Sequence, residues 1–119
     1  MTISGGRTPR AFLTAGNRLP VLVATVIKES TGLPFNFTDW TNPRFSMRKE
    51  DQTVSTLSLV TAAFILPRTS GQLVYAWAVT NTDDPGKYLA VFYANDPSGL
   101  ESSFPNGDTR IEIFILPRI

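Results

Sequence analysis

The chain of 119 residues contains neither cysteine nor histidine. Without cysteine it forms no disulfide, and without either residue it lacks the ligands that most zinc, copper and iron sites require. The same absences exclude Ser-His and Cys-His nucleophile pairs. Because only carboxylates, lysine, tyrosine and hydroxyl groups remain for chemistry, the sequence predicts a protein that is not an enzyme and uses no cofactor.

A marked excess of either charge is also missing. Eleven basic and ten acidic residues give a net charge of +1, and like charges form no run, which argues against a nucleic-acid partner. The longest apolar run, Val21 to Ile27, is too short to cross a membrane, and residues 1–7 have no apolar core typical of a signal peptide. We therefore expect a protein made in the cytoplasm, with no membrane partner.

Turn residues recur between short segments rich in β-branched and aromatic residues, and no window keeps a helical period. The pattern predicts an all-β fold, a two-sheet antiparallel immunoglobulin-like sandwich of seven to nine short strands. We assign the sandwich to residues 18–119. Residues 1–17 are rich in Gly, Thr and Arg without a sustained apolar period, so we expect a flexible arm there, with one short strand near Ala11 to Leu13.

The predicted strands combine alternating and continuous apolar patterns, and they cover residues 19–27, 33–37, 44–48, 53–64, 71–79, 88–94 and 110–116. Val79 is in phase with Trp77 and is expected on the same face. The residues expected in the core are Leu22, Ala24, Val26, Phe45, Met47, Tyr75, Trp77, Tyr88, Ala90 and Phe92.

A turn signal, Asp83-Asp84-Pro85-Gly86, runs directly into the strand that begins near Tyr88. Pro85 fixes φ, and Gly86 allows conformations that other residues avoid. A tyrosine in this position can return its hydroxyl to the entering backbone while its ring joins the core. Pro85, Gly86 and Tyr88 are therefore the predicted structural corner.

Three aromatic residues lie near a polar loop and are candidates for an interface: Phe35, Phe37 and Trp40. Trp40 stands in a Thr-Asp-Trp-Thr-Asn-Pro loop, where exposure and burial are about equally expected. An exposed aromatic row would favour the alternative function, a carbohydrate-binding module. A deep pocket with two close carboxylates would instead favour a small hydrolase.

The acidic residues raise two further functional alternatives, calcium binding and glycoside hydrolysis. Oxygen ligands in loops can bind calcium, and facing carboxylates can hydrolyse glycosides. No loop has the spacing of a calcium motif, and Asp is a frequent turn former, so we predict no metal. The calcium candidates are Asp83, Asp84, Asp96, Asp108 and Glu101, and the hydrolase candidates are Glu29, Asp39, Glu50, Asp51, Glu101 and Glu112.

The sequence Phe-Ile-Leu-Pro-Arg occurs at 64–68 and again at 114–118. A duplicated docking motif is one interpretation. We favour two strand ends that share a proline stop and a solvated arginine, because the flanking residues have nothing in common.

The order of these signals resembles a family of phage virion proteins, the immunoglobulin-like N-terminal domain of the baseplate upper protein and its relatives in tail and neck modules. The resemblance covers about residues 19–117. The residues that carry it are Leu22 to Val26, Thr31 to Pro34, Phe45 to Arg48, Gly71 to Trp77, Thr82 to Tyr88 and Phe104 to Asp108.

This resemblance implies a non-enzymatic structural component of a bacteriophage particle, placed in the tail, baseplate, neck or capsid. The expected partners are other virion proteins, and a homo-oligomer or multi-copy arrangement is expected. Sheet faces, the N-terminal arm or strand addition to a neighbour would supply the contacts.

Overall fold

The computed structural model describes residues 1–4, 8–107 and 109–118. Gly5, Gly6 and Arg7 of the predicted arm, Asp108 of the calcium candidates and Ile119 lie outside the described residues. The described chain is all-β, with one short 3-10 helix at Arg68–Ser70. None of its helices has the length and apolar character needed to cross a membrane.

Eleven strands are formed by the described residues, more than the seven to nine predicted. They are β1 (Thr2–Ile3), β2 (Arg10–Thr14), β3 (Leu22–Lys28), β4 (Leu33–Pro34), β5 (Thr41–Lys49), β6 (Ser55–Thr61), β7 (Ala63–Phe64), β8 (Gln72–Tyr75), β9 (Gly86–Asn95), β10 (Glu101–Phe104) and β11 (Ile111–Leu116).

The strands form two sheets that pack as a sandwich. The first sheet has the order β1-β3-β8-β7, with β4 paired to β3, and the second has the order β2-β11-β9-β5-β6, with β10 paired to β9. Most pairs are antiparallel, but β1 is parallel to β3 and β2 is parallel to β11. The predicted sandwich is confirmed, and its sheets are mixed rather than purely antiparallel.

The strand order is that of an immunoglobulin-like fold. In the lettering of that fold, β3, β8 and β7 take the places of strands B, E and D, and β5, β9 and β11 take the places of C, F and G. Strand β6 extends the second sheet beyond β5. Tyr88 lies near the start of β9, the position of the tyrosine corner in immunoglobulin domains.

The core lies between the sheets, where alternate residues of the long strands meet. All ten residues predicted for the core are buried there, and Ala24, Phe45 and Phe92 have no exposed surface. The stacked rings of Phe45 and Tyr75 join the two sheets, with centroids 4.7 Å apart. Alternate residues of β3, β5 and β9 therefore enter the interior, as expected for strands with one face on the core.

The sequence predicts a flexible arm over residues 1–17, and the structure corrects this prediction. Strand β1 joins the first sheet and β2 joins the second, and the side chains of Ile3 and Leu13 are buried in the core. The segment contributes two residues to the first sheet and five to the second, and the second piece contains the short strand predicted near Ala11 to Leu13. The described part of 1–17 therefore belongs to the sandwich.

Residues 53–64, predicted as one strand, are divided between the two sheets. Strand β6 ends the second sheet, β7 ends the first, and the backbone N–H of Ala62 between them donates to the carbonyl of Pro43 at 3.0 Å. Such crossovers produce the short additional strands, because each piece pairs with a different neighbour.

Two predicted strands are shorter than expected because polar side chains turn the backbone. Strand β8 ends at Tyr75, since Asn81 Oδ1 accepts from both the Tyr75 hydroxyl and the Ala78 N–H at 2.7 Å. Val79 is consequently 68% exposed rather than in phase with the core. Similarly, β4 ends at Pro34, and Asn36 Oδ1 accepts from the Thr38 N–H at 2.9 Å.

The two copies of Phe-Ile-Leu-Pro-Arg have different structures. The first spans the end of β7 and the start of the 3-10 helix, with the Arg68 guanidinium 4.6 Å from the ring centroid of Phe64. The second ends β11, and Arg118 there donates to the Ala15 carbonyl and to Asn17. Their shared sequence does not produce a shared surface.

Candidate functional site

The predicted corner is built by residues that are close in sequence. The hydroxyl of Tyr88 donates to the carbonyl of Asp84 at 2.6 Å, and its ring is 2% exposed in the core. Burial raises the pKa of the Tyr88 phenol, and the nearby Asp84 carboxylate raises it further. The phenol therefore stays protonated and acts as a donor that fixes the turn.

A lysine crosses the same turn and packs against Gly86, whose backbone conformation favours glycine. Lys49 Nζ lies 2.8 Å from Asp84 Oδ2, and this hydrogen bond raises the pKa of Lys49. A Cβ at Gly86, where φ is +151°, would lie 2.8 Å from Cε of Lys49. Pro85 is exposed beside them. The corner is thus a structural device with no open position for a substrate.

The aromatic interface candidates come together in one cluster at the end of the sandwich. Phe37 is at its centre, with ring centroids 4.9 Å from Phe35, 5.6 Å from Trp40 and 5.1 Å from Phe64. Phe104 closes the cluster at 5.4 Å from Phe37. The contacts of Phe37 with Trp40 and Phe104 are edge-to-face, an arrangement that aromatic rings favour in cores, and those with Phe35 and Phe64 are tilted.

The burial of these rings changes the predicted interface. Phe37 has no exposed surface, so it belongs to the core rather than to a contact surface. Phe35 and Trp40 are half-buried, and the Trp40 carbonyl accepts a hydrogen bond from Arg68. Only the outer edges of Phe35 and Trp40 are open to a partner.

An open cleft of about 550 Å³ lies beside this cluster, between β10 and the β1–β3 edge of the first sheet. We call it the aromatic cleft. Its lining combines aromatic rings with polar side chains, among them Phe35, Trp40, Phe104, Glu101, Ser103 and Asn106.

Of the acidic residues considered for calcium or glycoside chemistry, Glu29 and Glu101 both line the aromatic cleft. Within the described ranges no group of three or more Asp or Glu is placed to hold a metal ion. The Asp96 carboxylate accepts from the Ser98 hydroxyl and from the Ser98 and Leu100 N–H groups, which lowers its pKa and caps a turn. Glu101 is paired with Arg44 at 2.7 Å.

A row of alternating charges crosses the outer surface of the second sheet, and we call it the ionic row. Arg10 Nε lies 2.8 Å from Glu112, Lys87 Nζ lies 3.0 Å from the other oxygen of Glu112, and Lys87 also contacts Glu50 at 2.7 Å. Hydrogen bonds from Arg10 and Lys87 lower the pKa of Glu112, and those to Glu50 and Glu112 raise the pKa of Lys87.

Apolar side chains surround this row on the same surface. Val91 is 5% exposed yet lies outside the core cluster, because it alternates with Ala90 and Phe92, which point inward. The apolar residues on this side are Phe12, Leu89, Val91, Tyr93 and Phe114, which we call the outer apolar face. Phe12 is 61% exposed and stacks on Phe114 at 5.1 Å.

A second, more open groove of about 580 Å³ lies at the opposite end of β8, against Arg18, Val21, Ala76 and Trp77. The indole N–H of Trp77 is buried and has no hydrogen-bond partner in the part of the chain that the structure describes. Because that nitrogen is closed to solvent, a ligand in the groove does not reach it.

The outer apolar face is the feature that the strand-by-strand prediction missed. Its signal was present in β9, where Leu89-Ala90-Val91-Phe92-Tyr93 is apolar at every position instead of alternating. The short strand around Phe12 is predicted, but its pairing with β11 joins residues that lie about 100 positions apart and has no local signal. The second sheet brings these distant segments side by side.

Neither models of known protein families nor characterised proteins gave a match to this chain.

Proposed function

We propose that this chain is a non-enzymatic structural component of a bacteriophage particle that attaches through contacts with other virion proteins. The observation that carries the proposal is the outer apolar face on an immunoglobulin-like sandwich. A sheet with one solvated face normally places polar residues there. Here a central strand carries Leu89, Val91 and Tyr93 outward. Val91 is already covered by its own chain at 5% exposed, whereas Phe12 at the edge of the same face is 61% exposed and is the part that a partner would cover.

The chemistry of the remaining surface supports a contact role. Glu112 and Glu101 are held in ion pairs, and Asp96 caps a turn, so these carboxylates serve structure. The aromatic cleft is lined by two carboxylates, Glu29 and Glu101, of which Glu101 is paired with Arg44. The resemblance to phage virion domains supplies the biological setting, a multi-copy component of the tail, baseplate, neck or capsid.

Mass spectrometry of purified particles tests this role. Particles from a phage that encodes the chain should contain it as a stoichiometric component that remains after washing in high salt, because apolar contacts are not screened. Finding the chain only in the host lysate, with complete particles lacking it, would contradict the proposal.

The aromatic cleft supports a second candidate, a carbohydrate-binding module. Aromatic surface from Trp40 and Phe35 beside polar groups from Glu101, Ser103 and Asn106 combines stacking with hydrogen-bond partners, as small-ligand sites require.

A titration with oligosaccharides, followed by isothermal calorimetry, tests this candidate. Asn106→Ala and Ser103→Ala should weaken binding while leaving the melting temperature near that of the wild type. Leu33→Ala, at an exposed position outside the cleft, is the control. Binding heats in the two cleft variants equal to those of the wild type would contradict the carbohydrate-binding candidate.

A further inference from the structure

The loop between β10 and β11 contains the one Asn-Gly pair of the sequence, Asn106-Gly107. The side-chain amide carbon of an asparagine can be attacked by the backbone nitrogen of the next residue, which closes a succinimide ring. A side chain on that next residue hinders the attack, and glycine has none. The pair is therefore the position in this sequence where such a ring closes with the least steric hindrance.

The structure leaves the pair accessible. Asn106 and Gly107 are both exposed, and a Cβ built at Gly107, where φ is +65°, would meet nothing within 4 Å. Among the described residues, neither the Asn106 side chain nor the Gly107 N–H has a hydrogen-bond partner. The hydrogen bonds of the loop lie after the pair, where Arg110 Nη1 donates to the carbonyls of Gly107 and Thr109. They leave the Asn106 side chain free to rotate toward the nitrogen.

The other five asparagines are restrained. Asn42 precedes Pro43, whose nitrogen carries no proton and cannot close the ring. The N–H that follows Asn95 is engaged, because Asp96 donates to the Leu100 carbonyl at 2.8 Å. Four side-chain oxygens accept hydrogen bonds that fix the amide, namely those of Asn17, Asn36, Asn81 and Asn95. Asn106 is thus singled out by the fold as well as by the sequence.

We propose that Asn106 is a self-modifying site, at which the chain converts an amide into a carboxylate without an enzyme. The Gly107 nitrogen bonds to the side-chain amide carbon of Asn106, the bond from that carbon to Nδ2 breaks, and ammonia leaves with the proton of the Gly107 amide. A water molecule then opens the succinimide at either of its two carbonyl carbons. This restores the N–H and leaves one carboxylate. Nothing is oxidised or reduced, and water is the only co-reactant.

The new charge appears in the aromatic cleft, which Asn106 lines together with Glu29 and Glu101. An amide both donates and accepts hydrogen bonds, whereas a carboxylate only accepts them. The modified cleft therefore loses a donor and gains a negative charge, and the net charge of the chain falls from +1 to zero.

The sandwich itself is kept. Strand β10 ends at Phe104 and β11 begins at Ile111, so the changed residue lies in the loop between them. The reaction needs neither a partner nor a particle, so it is independent of the role proposed above.

Peptide mapping of the purified full chain tests the site. The folded chain is incubated at mildly alkaline pH and digested with trypsin, and a sample digested without incubation gives the starting level. Asn95 and Asn106 fall in the same tryptic peptide, residues 88–110. Fragmentation of that peptide by mass spectrometry should locate the conversion at Asn106 and find Asn95 intact. Ion-exchange chromatography should show a more acidic form that grows in the same proportion.

Three variants, each checked by circular dichroism, separate the chemistry from the fold. Asn106→Gln should abolish the acidic form, because its longer side chain would have to close a larger ring. Gly107→Ala should slow the conversion several-fold, because the added Cβ hinders the attack. The matched control is Gly99→Ala, at a glycine that also has a positive φ and open space around its Cβ, and it should leave the conversion of Asn106 unchanged.

The wild-type chain unfolded in urea gives the rate for an unrestrained Asn-Gly pair. Folded and unfolded chains should convert Asn106 at similar rates, whereas Asn95 should be converted only in the unfolded chain. If the folded chain keeps Asn106 intact while the unfolded chain loses it, the loop holds the pair apart and the inference is overturned. A folded chain in which another asparagine is converted first would overturn it as well.

Discussion

At the scale of single residues, the hydroxyl of Tyr88 and the missing side chain of Gly71 each fix a local backbone path. Tyr88 holds the turn that enters β9, and Gly71 lets three backbone segments approach one another beside the aromatic cluster. A Cβ at Gly71 would lie 2.7 Å from the Phe35 nitrogen and 2.8 Å from the Val26 oxygen. Both residues affect the stability of the fold. Each can be tested by a substitution that removes or adds one heavy atom.

Tyr88→Phe should lower the free energy of unfolding by about 1 kcal/mol, because the bond from its hydroxyl to the Asp84 carbonyl is lost while the ring remains packed. Urea denaturation measures the change. Tyr93→Phe, on the outer side of the same strand, is the control, since its hydroxyl has no protein partner among the described residues. An unchanged midpoint for Tyr88→Phe would show that the corner bond does not stabilise the fold.

Gly71→Ala should be much more damaging than Gly32→Ala, although both glycines have φ of 69°. At Gly32 nothing lies within 4 Å of the added Cβ, so the cost is the left-handed backbone alone, about 1 to 2 kcal/mol. At Gly71 the contact with backbone atoms adds roughly another 1 to 3 kcal/mol. Thermal melting compares the two directly, and equal losses would show that the close approach is absent.

How far a residue's role can be predicted depends on where its partners lie in the sequence. The corner of Tyr88 uses Asp84 and Gly86, so a short motif contains all of it. Phe37 was expected at a surface and is buried, because Phe104 and Phe64 from distant segments enclose it. The position of a residue in a predicted loop does not reveal such tertiary contacts, so its burial cannot be predicted from it.

At the scale of elements, two segments change sheets and define the lateral edges of the sandwich. The chain passes from β1 to β2 on one side and from β6 to β7 on the other. The apolar pattern identifies β3, β5 and β9, since each of these strands stays in one sheet. It failed for 1–17 and 53–64, because a crossover shifts the buried positions from one sheet to the other.

Leu13→Ala tests the structural role of the N-terminal segment. Leu13 is 6% exposed in the core through β2, and truncating it should cost about 2 to 5 kcal/mol. The same substitution at Leu100, which is 68% exposed, should change stability by no more than about 0.5 kcal/mol. Equal denaturant midpoints for the two variants would restore the view of residues 1–17 as a flexible arm.

The ionic row predicts how stability responds to acid. Arg10 and Lys87 lower the pKa of Glu112 in the folded chain, so its contribution is complete above its unfolded pKa and is lost as the pH falls through its folded value. Lys87 has a raised pKa, so its contribution is lost only in strong alkali. With no histidine or cysteine, stability should be flat between about pH 5 and 8.

Thermal melts across a pH series measure this dependence. Glu112→Gln should reduce the loss of stability below about pH 4.5 relative to the wild type. Glu29→Gln is the control, because Glu29 is exposed and forms no ion pair with the described residues. A steep change between pH 6 and 7.5 would instead indicate a buried titratable group and reopen the question of an active site.

At the scale of the whole molecule, the sandwich carries its open surfaces in different directions. The outer apolar face lies on one sheet, whereas the aromatic cleft lies between the edge of the other sheet and β10. A domain of this form can meet different neighbours at the two surfaces, as the proposed structural role requires.

The most direct test of the account is a competition for incorporation into particles. Wild-type and variant chains are co-expressed during infection, and quantitative mass spectrometry of purified particles gives the ratio of the two. We predict that Phe12→Glu is depleted relative to the wild type, whereas Leu33→Glu is incorporated in proportion to its expression. Equal incorporation of all three chains, with each one folded, would contradict the claim that the outer apolar face joins this protein to its assembly.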